Sequence, residues 1–301
     1  MKEIGSEFAL FSNEDYYFKR IKSLRNSVRF LRCGRDVIGY IANLLNSKSG
    51  VILMPAYCCA SMVQPFVIKG WKVEYYPIKN DFSADDEYIV SFYKKNLPDA
   101  ILLMNFYGIS KTNKTIDKIR NECIDIQIIE DITHVLFDIE KIYSDQVDYY
   151  IGSIRKWVGI VDGALMISNK KNLPEITYKD SNFTEFRRKA LKYKEQYNYT
   201  KIASDKDKFR RLFLEAENSL DDGRNPILIS PESMKLLENL NCSTLKNRRK
   251  WNGDTLLNLL KSVPGVKFPI NIDQIIKITP FSIPILVKDR DSFQKKLAKK
   301  G

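Results

Sequence analysis

The run Ala100-Ile101-Leu102-Leu103-Met104 constrains the fold of this chain more than any other feature. Five apolar residues without polar alternation suit a strand buried on both faces. Strands of that kind belong to parallel sheets sandwiched between helices. The flanking segments agree. Val51-Ile52-Leu53-Met54 is a second short apolar strand, stopped by Pro55. Residues 35–45 carry apolar side chains at helical spacing, and 61–68 read as a helix ended by Gly70. Residues 71–78 alternate as a strand, while 85–95 and 115–123 read as helices. Residues 126–131, 147–151 and 164–168 supply three further strands. This rhythm predicts an α/β domain with a mostly parallel central sheet and helices on both faces.

The rhythm is lost after about residue 170. Residues 172–230 are polar, charged and mostly helical, which predicts an insert. Ser230-Pro231 opens another helix, since Ser caps and Pro suits a first helical position. Helical patterns continue to about 260, followed by a turn at 263–266, a strand at 281–287 and a helix at 291–300. The expected division is a large domain over 1–230, with the insert at 172–230, and a C-terminal α+β domain over 231–301 that is cut short.

Hydrophobic residues make up 44% of the chain, enough for a core. Apolar stretches are short and interrupted, so no membrane span is expected. Residues 1–11 lack a charged-then-apolar leader. Five cysteines, at 33, 58, 59, 123 and 242, form no CxxC pair and suit the reduced thiols of the cytoplasm. Net charge is +12, which fits either nucleic-acid binding or a lysine-rich surface that favours anionic small molecules. The basic residues are spread along the chain without a nucleic-acid motif, so no nucleic-acid partner is expected. His134 is the single histidine, and no metal site is expected. There is no Walker loop and no GxGxxG.

In sheets of this class ligands bind beyond the carboxyl ends of the strands. Pro55, Asn105 and Asp131 each follow the last apolar residues of a strand, so the fold brings them to one edge. A carboxylate such as Asp131 at the end of a buried strand is costly unless a cation meets it. Lys156 follows 25 residues later, in Gly152-Ser153-Ile154-Arg155-Lys156-Trp157. An acid for a pyridinium nitrogen and an amine for an aldehyde together describe a pyridoxal phosphate (PLP) site. Ser153 lies three residues before Lys156 and could hold a phosphate, with Arg155 adding positive charge. Cys33-Gly34-Arg35-Asp36 opens a helix whose free N–H groups suit an anion. Plainer readings stand beside each of these. Lys156 could be a solvated lysine, and Asp131 a helix cap with His134 settled in a loop. Gly34 and Asn105 could mark simple turns.

Taken in order, Gly34-Arg35-Asp36, Pro55-Ala56-Tyr57-Cys58-Cys59, Asn105-Phe106-Tyr107-Gly108, Ile129-Glu130-Asp131-x-x-His134 and Ser153-x-Arg155-Lys156-Trp157 resemble the DegT/DnrJ/EryC1/StrS aminotransferases. These are fold-type-I, aspartate aminotransferase-like PLP enzymes that mostly aminate nucleotide-linked keto sugars. The resemblance runs over roughly residues 5–300. It implies that Lys156 carries the cofactor aldehyde, that Asp131 pairs with the pyridine nitrogen, and that His134 lies near the ring or its 3-oxygen. Gly34, Arg35 and Ser153 would hold the phosphate, with Asn105 at the cofactor. Cys59 stands about where many members carry an aromatic residue stacked on the ring, and Tyr57 could substitute. An amino-acid donor, typically glutamate, and a homodimer are implied as well. Two other readings are a PLP-fold protein that binds without catalysis, as a regulator or a truncated remnant, and a basic nucleic-acid or surface-binding protein.

Overall fold

A computed structural model describes residues 27–45, 49–110, 112–123, 125–169, 173–220, 225–270 and 277–300. Residues 1–11, where no leader was expected, lie outside the described residues. The described residues begin with a strand the periodicity did not suggest, β1 (Val28–Leu31), followed by α1 (Gly34–Leu45) and β2 (Val51–Pro55). Then come α2 (Ala60–Ile68), β3 (Lys72–Tyr76), α3 (Asp86–Asn96) and β4 (Ala100–Met104). They continue with α4 (Thr112–Glu122), β5 (Gln127–Asp131), the short α5 (Ile139–Ile142), β6 (Tyr149–Gly152) and β7 (Ala164–Ser168). The insert is a helical hairpin, α6 (Asn182–Thr200) and α7 (Ala203–Asn218). It is followed by α8 (Pro231–Glu238), α9 (Cys242–Lys261) and α10 (Arg290–Lys300).

Seven strands form one sheet in the order β1-β7-β6-β5-β4-β2-β3. β2 to β6 run parallel, and β7 is antiparallel to both its neighbours. The five-residue apolar run is β4, buried throughout as its sequence requires. Its side chains divide between two cores. Ile101 and Leu103 join Leu53 and Ile128 on one face, while Leu102 and Met104 join Ile52, Met54 and Ile129 on the other. The pleat alternates residue by residue, so Glu130 falls on the first face and Asp131 on the second. The second face is covered by α1 through Val37, Ile38 and Ile41. The first is covered partly by later chain, including Leu237, Leu240, Cys242 and Ile278.

Local chemistry sets several boundaries. Asp85 caps α3 by accepting from Tyr88 N, and Leu97 ends that helix in a left-handed conformation. Ser230 caps α8 through Ser233 N, with Pro231 in the first turn, as its sequence leads one to expect. Residues 281–287 differ from their expectation. They form no strand beyond a single bridge between Leu286 and Lys267. Phe281 instead turns inward, its ring 5.3 Å from that of fully buried Trp157. Among the described residues, no helix is long and apolar enough to cross a membrane.

β2 lies between β3 and β4, so the chain steps one way to β3 and returns across β2 to β4. Crevices form beyond the carboxyl ends of strands at such reversals. The turn after β4 is tight. Gly108 has φ +74°, and a Cβ there would lie 2.3 Å from Ile278 Cδ1 and 2.8 Å from Val135 Cγ1. Gly108→Ala should therefore lower stability by about 2 kcal/mol, combining left-handed backbone cost with overpacking. Urea unfolding would measure this. Adding Ile278→Ala should show a coupling between the two sites, because they share one contact.

Candidate active site

A cavity of about 370 Å³ opens at the carboxyl edge of the sheet, over the α1 face. The start of α1, the loops after β2, β4, β5 and β6, and the end of α7 converge on it. Gly34, Arg35, Tyr57, Cys59, Asp131, His134, Ser153 and Lys156 all line this one cavity. They span more than a hundred positions of chain, and the strand order brings them together.

Asp131 forms the floor. It is 6% exposed, and its Oδ1 accepts from Thr133 N at 2.7 Å. Burial pushes its carboxyl above the ordinary range, against the pull of the Thr133 N–H and the Lys156 charge. Lys156 itself is exposed at the cavity mouth. Its ammonium also disfavours a charge on His134, which burial holds down to a pKa of about 3. His134 is thus neutral at ordinary pH. Its Nδ1 accepts from Tyr107 N at 3.3 Å, which leaves the ring proton on Nε2. The imidazole lies between the Phe281 ring, 4.7 Å away and stacked, and the Tyr107 ring at 4.9 Å. Tyr107 holds φ +54°, a strained conformation for a large side chain, and that conformation delivers its N–H to His134.

At the other end lie the start of α1, Ser153, Arg35 and Arg155. A Cβ built at Gly34 meets nothing within 4 Å, so the helix opens on free space. Asp36 is fully buried one turn in and is gripped by Arg32 through two bonds of 2.8 and 2.9 Å. Arg155 Nη2 pairs with Glu217 Oε1 at 2.8 Å, and Arg35 Nη2 lies 3.8 Å from Glu217 Oε2. Tyr57 is 56% exposed and packs its ring 5.5 Å from Phe106. Cys59 is exposed, with Sγ 2.9 Å from Ser61 Oγ.

Asn105 differs from its expectation. It does not line the cavity, because its Nδ2 turns to the other face and donates to Thr112 Oγ1 and Glu130 Oε1, both at 3.0 Å. The reason is Glu130, a fully buried carboxyl that needs donors and takes Thr112 Oγ1 as well, at 2.7 Å. Burial raises Glu130 to about 7, its hydrogen bonds pulling the other way. Several residues of the site were not singled out from sequence. Thr133 was legible only as one of two unassigned positions between Asp131 and His134. Phe281 and Glu217 carry no local signal, since each reaches the site from distant chain.

No protein-family model matches the chain, and no curated protein matches it. Solved structures do. The chain is similar to a DegT DnrJ EryC1 StrS aminotransferase from Brucella abortus, at 15% identity and a TM-score of 0.57, covering 95% of this chain and 72% of that one. It is similar to DesV from S. venezuelae in complex with a ketimine intermediate, at 13% identity and TM-score 0.57, over 91% and 67%. NtdA from Bacillus subtilis with bound cofactor PMP gives 16% and 0.57, over 97% and 63%. The chain thus spans about two thirds of the length of these proteins. At such identities the shared property is the fold, which is that of the fold-type-I PLP enzymes.

Buried Glu130 and half-buried His134 shift in opposite senses. Glu130 rises from 4.5 to about 7, so between those values the folded chain holds a proton that the unfolded chain lacks, and acidification stabilises. His134 falls from 6.5 to about 3, so across that window the unfolded chain holds the extra proton, and acidification destabilises. From pH 6.5 to 4.5 the two offset. His134→Gln should therefore gain stability relative to the parent as pH falls through that overlap, by up to about 1.4 kcal/mol per pH unit. Glu130→Gln should lose it by a similar slope. Urea midpoints at the two ends of the window measure both.

Proposed function

We propose that this cavity binds pyridoxal 5′-phosphate and that the chain is an aminotransferase, moving an amino group from an amino acid, glutamate in the first instance, to a nucleotide-linked keto sugar. The observation that carries the reading is the meeting of a buried acid, Asp131, and an exposed amine, Lys156, in one cavity beyond the carboxyl ends of a parallel sheet. The fold is shared with sugar aminotransferases, one of them CalS13 from Micromonospora echinospora at 13% identity and a TM-score of 0.54.

The residues fit the cofactor. The Asp131 pKa is held up by burial, and a protonated ring nitrogen would relieve that cost by adding a cation to the pull of Lys156. The open start of α1 at Gly34, with Ser153 and Arg35, has the donors and charge for a phosphate. When bound, the cofactor supplies an electron sink that acidifies the donor's Cα–H.

The chain's own residues then divide the labour. Asp131 would keep a proton on the ring nitrogen. Lys156 Nζ would hold the aldehyde and is the amine that would carry the proton of the donor's Cα. His134, neutral, can donate through Nε2 without adding a positive charge beside Lys156. Tyr57 and Cys59 flank the mouth. A homodimer, a cytoplasmic setting and a smaller lobe after residue 230 belong to the same reading; the first rests on the sequence resemblance, the second on cysteines without a CxxC pair, and the third on the loss of the strand-helix rhythm.

Borohydride treatment in the presence of the cofactor should leave a stable pyridoxyl group on Lys156, located by peptide mass. Lys156→Ala should lose that group and all glutamate-dependent amine transfer, while its urea midpoint barely moves, since an exposed side chain contributes little to packing. Asp131→Ala should keep the group and lose transfer by about a hundredfold or more, the scale of a lost proton-holding residue. Amine transfer that survives in Lys156→Ala would remove the enzyme reading.

A further inference from the structure

We propose that Glu217 is an internal counter-anion that competes with the cofactor's phosphate for Arg35 and Arg155, so that filling the cavity releases the end of α7. The inference rests on the cofactor reading above and adds a regulatory contact to it.

Two carboxylates pair with arginines at the start of α1, and their pairings differ in kind. Arg32 and Asp36 form a buried fork, with side chains 9% and 0% exposed. That pair is fixed, because breaking it strands a buried charge. Glu217 is 35% exposed where it meets Arg155 and Arg35, which are 14% and 19% exposed. A pair so open to water is worth little and exchanges easily. Phosphate presents more charge and more acceptor oxygens than a carboxylate to the same guanidinium donors.

Glu217 also breaks a local rule. It lies in the last turn of α7, where the helix dipole disfavours an acid. The two arginines compensate, and Arg35 Nη1 further donates to the Glu217 carbonyl at 3.4 Å. The negative end of α7 therefore faces the positive start of α1. Glu217 and Leu220 both line the cavity, so the contact lies within the site. A phosphate at the start of α1 would meet a like charge there, and one of the two must yield.

The rest of the hairpin is held independently. Arg187 is fully buried on α6 and donates to the carbonyls of Val161 and Ile160. Phe183 lies beneath the Arg155 and Arg187 guanidinium groups at 5.5 and 5.6 Å. Ala216 and Leu220 pack on Cys33 and Phe183, so Glu217 leaves by turning its side chain away from the arginines, which loosens the Arg35 contact with the Glu217 carbonyl at the helix end.

The test compares the full chain with Glu217→Gln, using pyridoxal phosphate, pyridoxal without its phosphate, and inorganic phosphate. The variant should bind pyridoxal phosphate and inorganic phosphate about fivefold tighter, the scale of one partly exposed ion pair, and bind pyridoxal as the parent does. Weaker phosphate binding in the variant would mean that Glu217 organises the arginines, and would overturn the inference. So would an equal change for pyridoxal. Hydrogen exchange on the unaltered chain needs no variant. Pyridoxal phosphate should speed exchange of the amides in the last turn of α7, and pyridoxal should not; unchanged or slower exchange with the phosphate form counts against the proposal. Borohydride trapping separates the two layers. If neither ligand can be fixed to Lys156, the cofactor reading falls and this inference with it. If trapping succeeds but Glu217→Gln does not discriminate, only the role of Glu217 falls.

Discussion

Thr133 holds the site together. Its N–H donates to Asp131 Oδ1 at 2.7 Å, its hydroxyl accepts from Ser153 N at 3.1 Å, and its carbonyl accepts from Trp157 Nε1 at 2.5 Å. One residue thus uses all three of its polar groups to tie the loop after β5 to the loop after β6. Asp131 belongs to the first loop, and Ser153 and Lys156 to the second. Side chains on two loops are positioned only as well as the loops are held to each other. Trp157 makes the joint rigid, since it is fully buried, edge-on to Phe137 at 5.0 Å and beneath the Arg249 guanidinium at 4.4 Å. Lys156 can stay exposed and mobile as a side chain because the next residue anchors its backbone.

β5 carries two carboxyls in succession, and the pleat separates them. Asp131 points to the cavity, where Lys156 and Thr133 N–H favour its charge. Glu130 points into the opposite core, where Thr112 and Asn105 both donate to Oε1 and Oε2 has no hydrogen-bond partner. A buried oxygen of that kind suits a protonated carboxyl, in accord with the raised pKa of Glu130. The result is one acid whose pKa is raised to about 7 and one acid poised for a cation, on adjacent residues. Glu130 also explains why the loop after β4 is where it is. By drawing Asn105 inward, it starts the turn that carries Tyr107 to His134.

The fold was legible because strand and helix periods are local. β4 and β7 match their apolar runs, and α8 begins at the Ser-Pro pair. The strand-end positions of Asp131 and the Ser153–Lys156 turn followed from the same reading, because a parallel sheet collects its carboxyl ends on one edge. What the sequence could not reveal is contact between distant segments. β1 is four residues long, and it earns its place by pairing with β7 rather than by any pattern of its own. Residues 281–287 read like a strand, yet they form a single bridge, and Phe281 serves instead to cover Trp157 and His134. Asn105 had the right position and the wrong direction, since direction was decided by a buried glutamate 25 residues away.

The helical hairpin after β7 sorts the basic residues around the candidate cavity. Guanidinium groups from Arg32, Arg155 and Arg187 all lie within 6 Å of the Phe183 ring centroid. An aromatic face attracts each of them while keeping their mutual repulsion spread over one hydrophobic surface. Each then takes a different partner: Asp36 for Arg32, Glu217 for Arg155 and the Ile160 and Val161 carbonyls for Arg187. Only Arg155, with Arg35 beside it, faces the cavity. The hairpin therefore fixes two of the three cations to the scaffold and leaves the third where an anion can reach it. A net charge of +12 draws many anions to the surface, and this arrangement limits which cations they meet in the site.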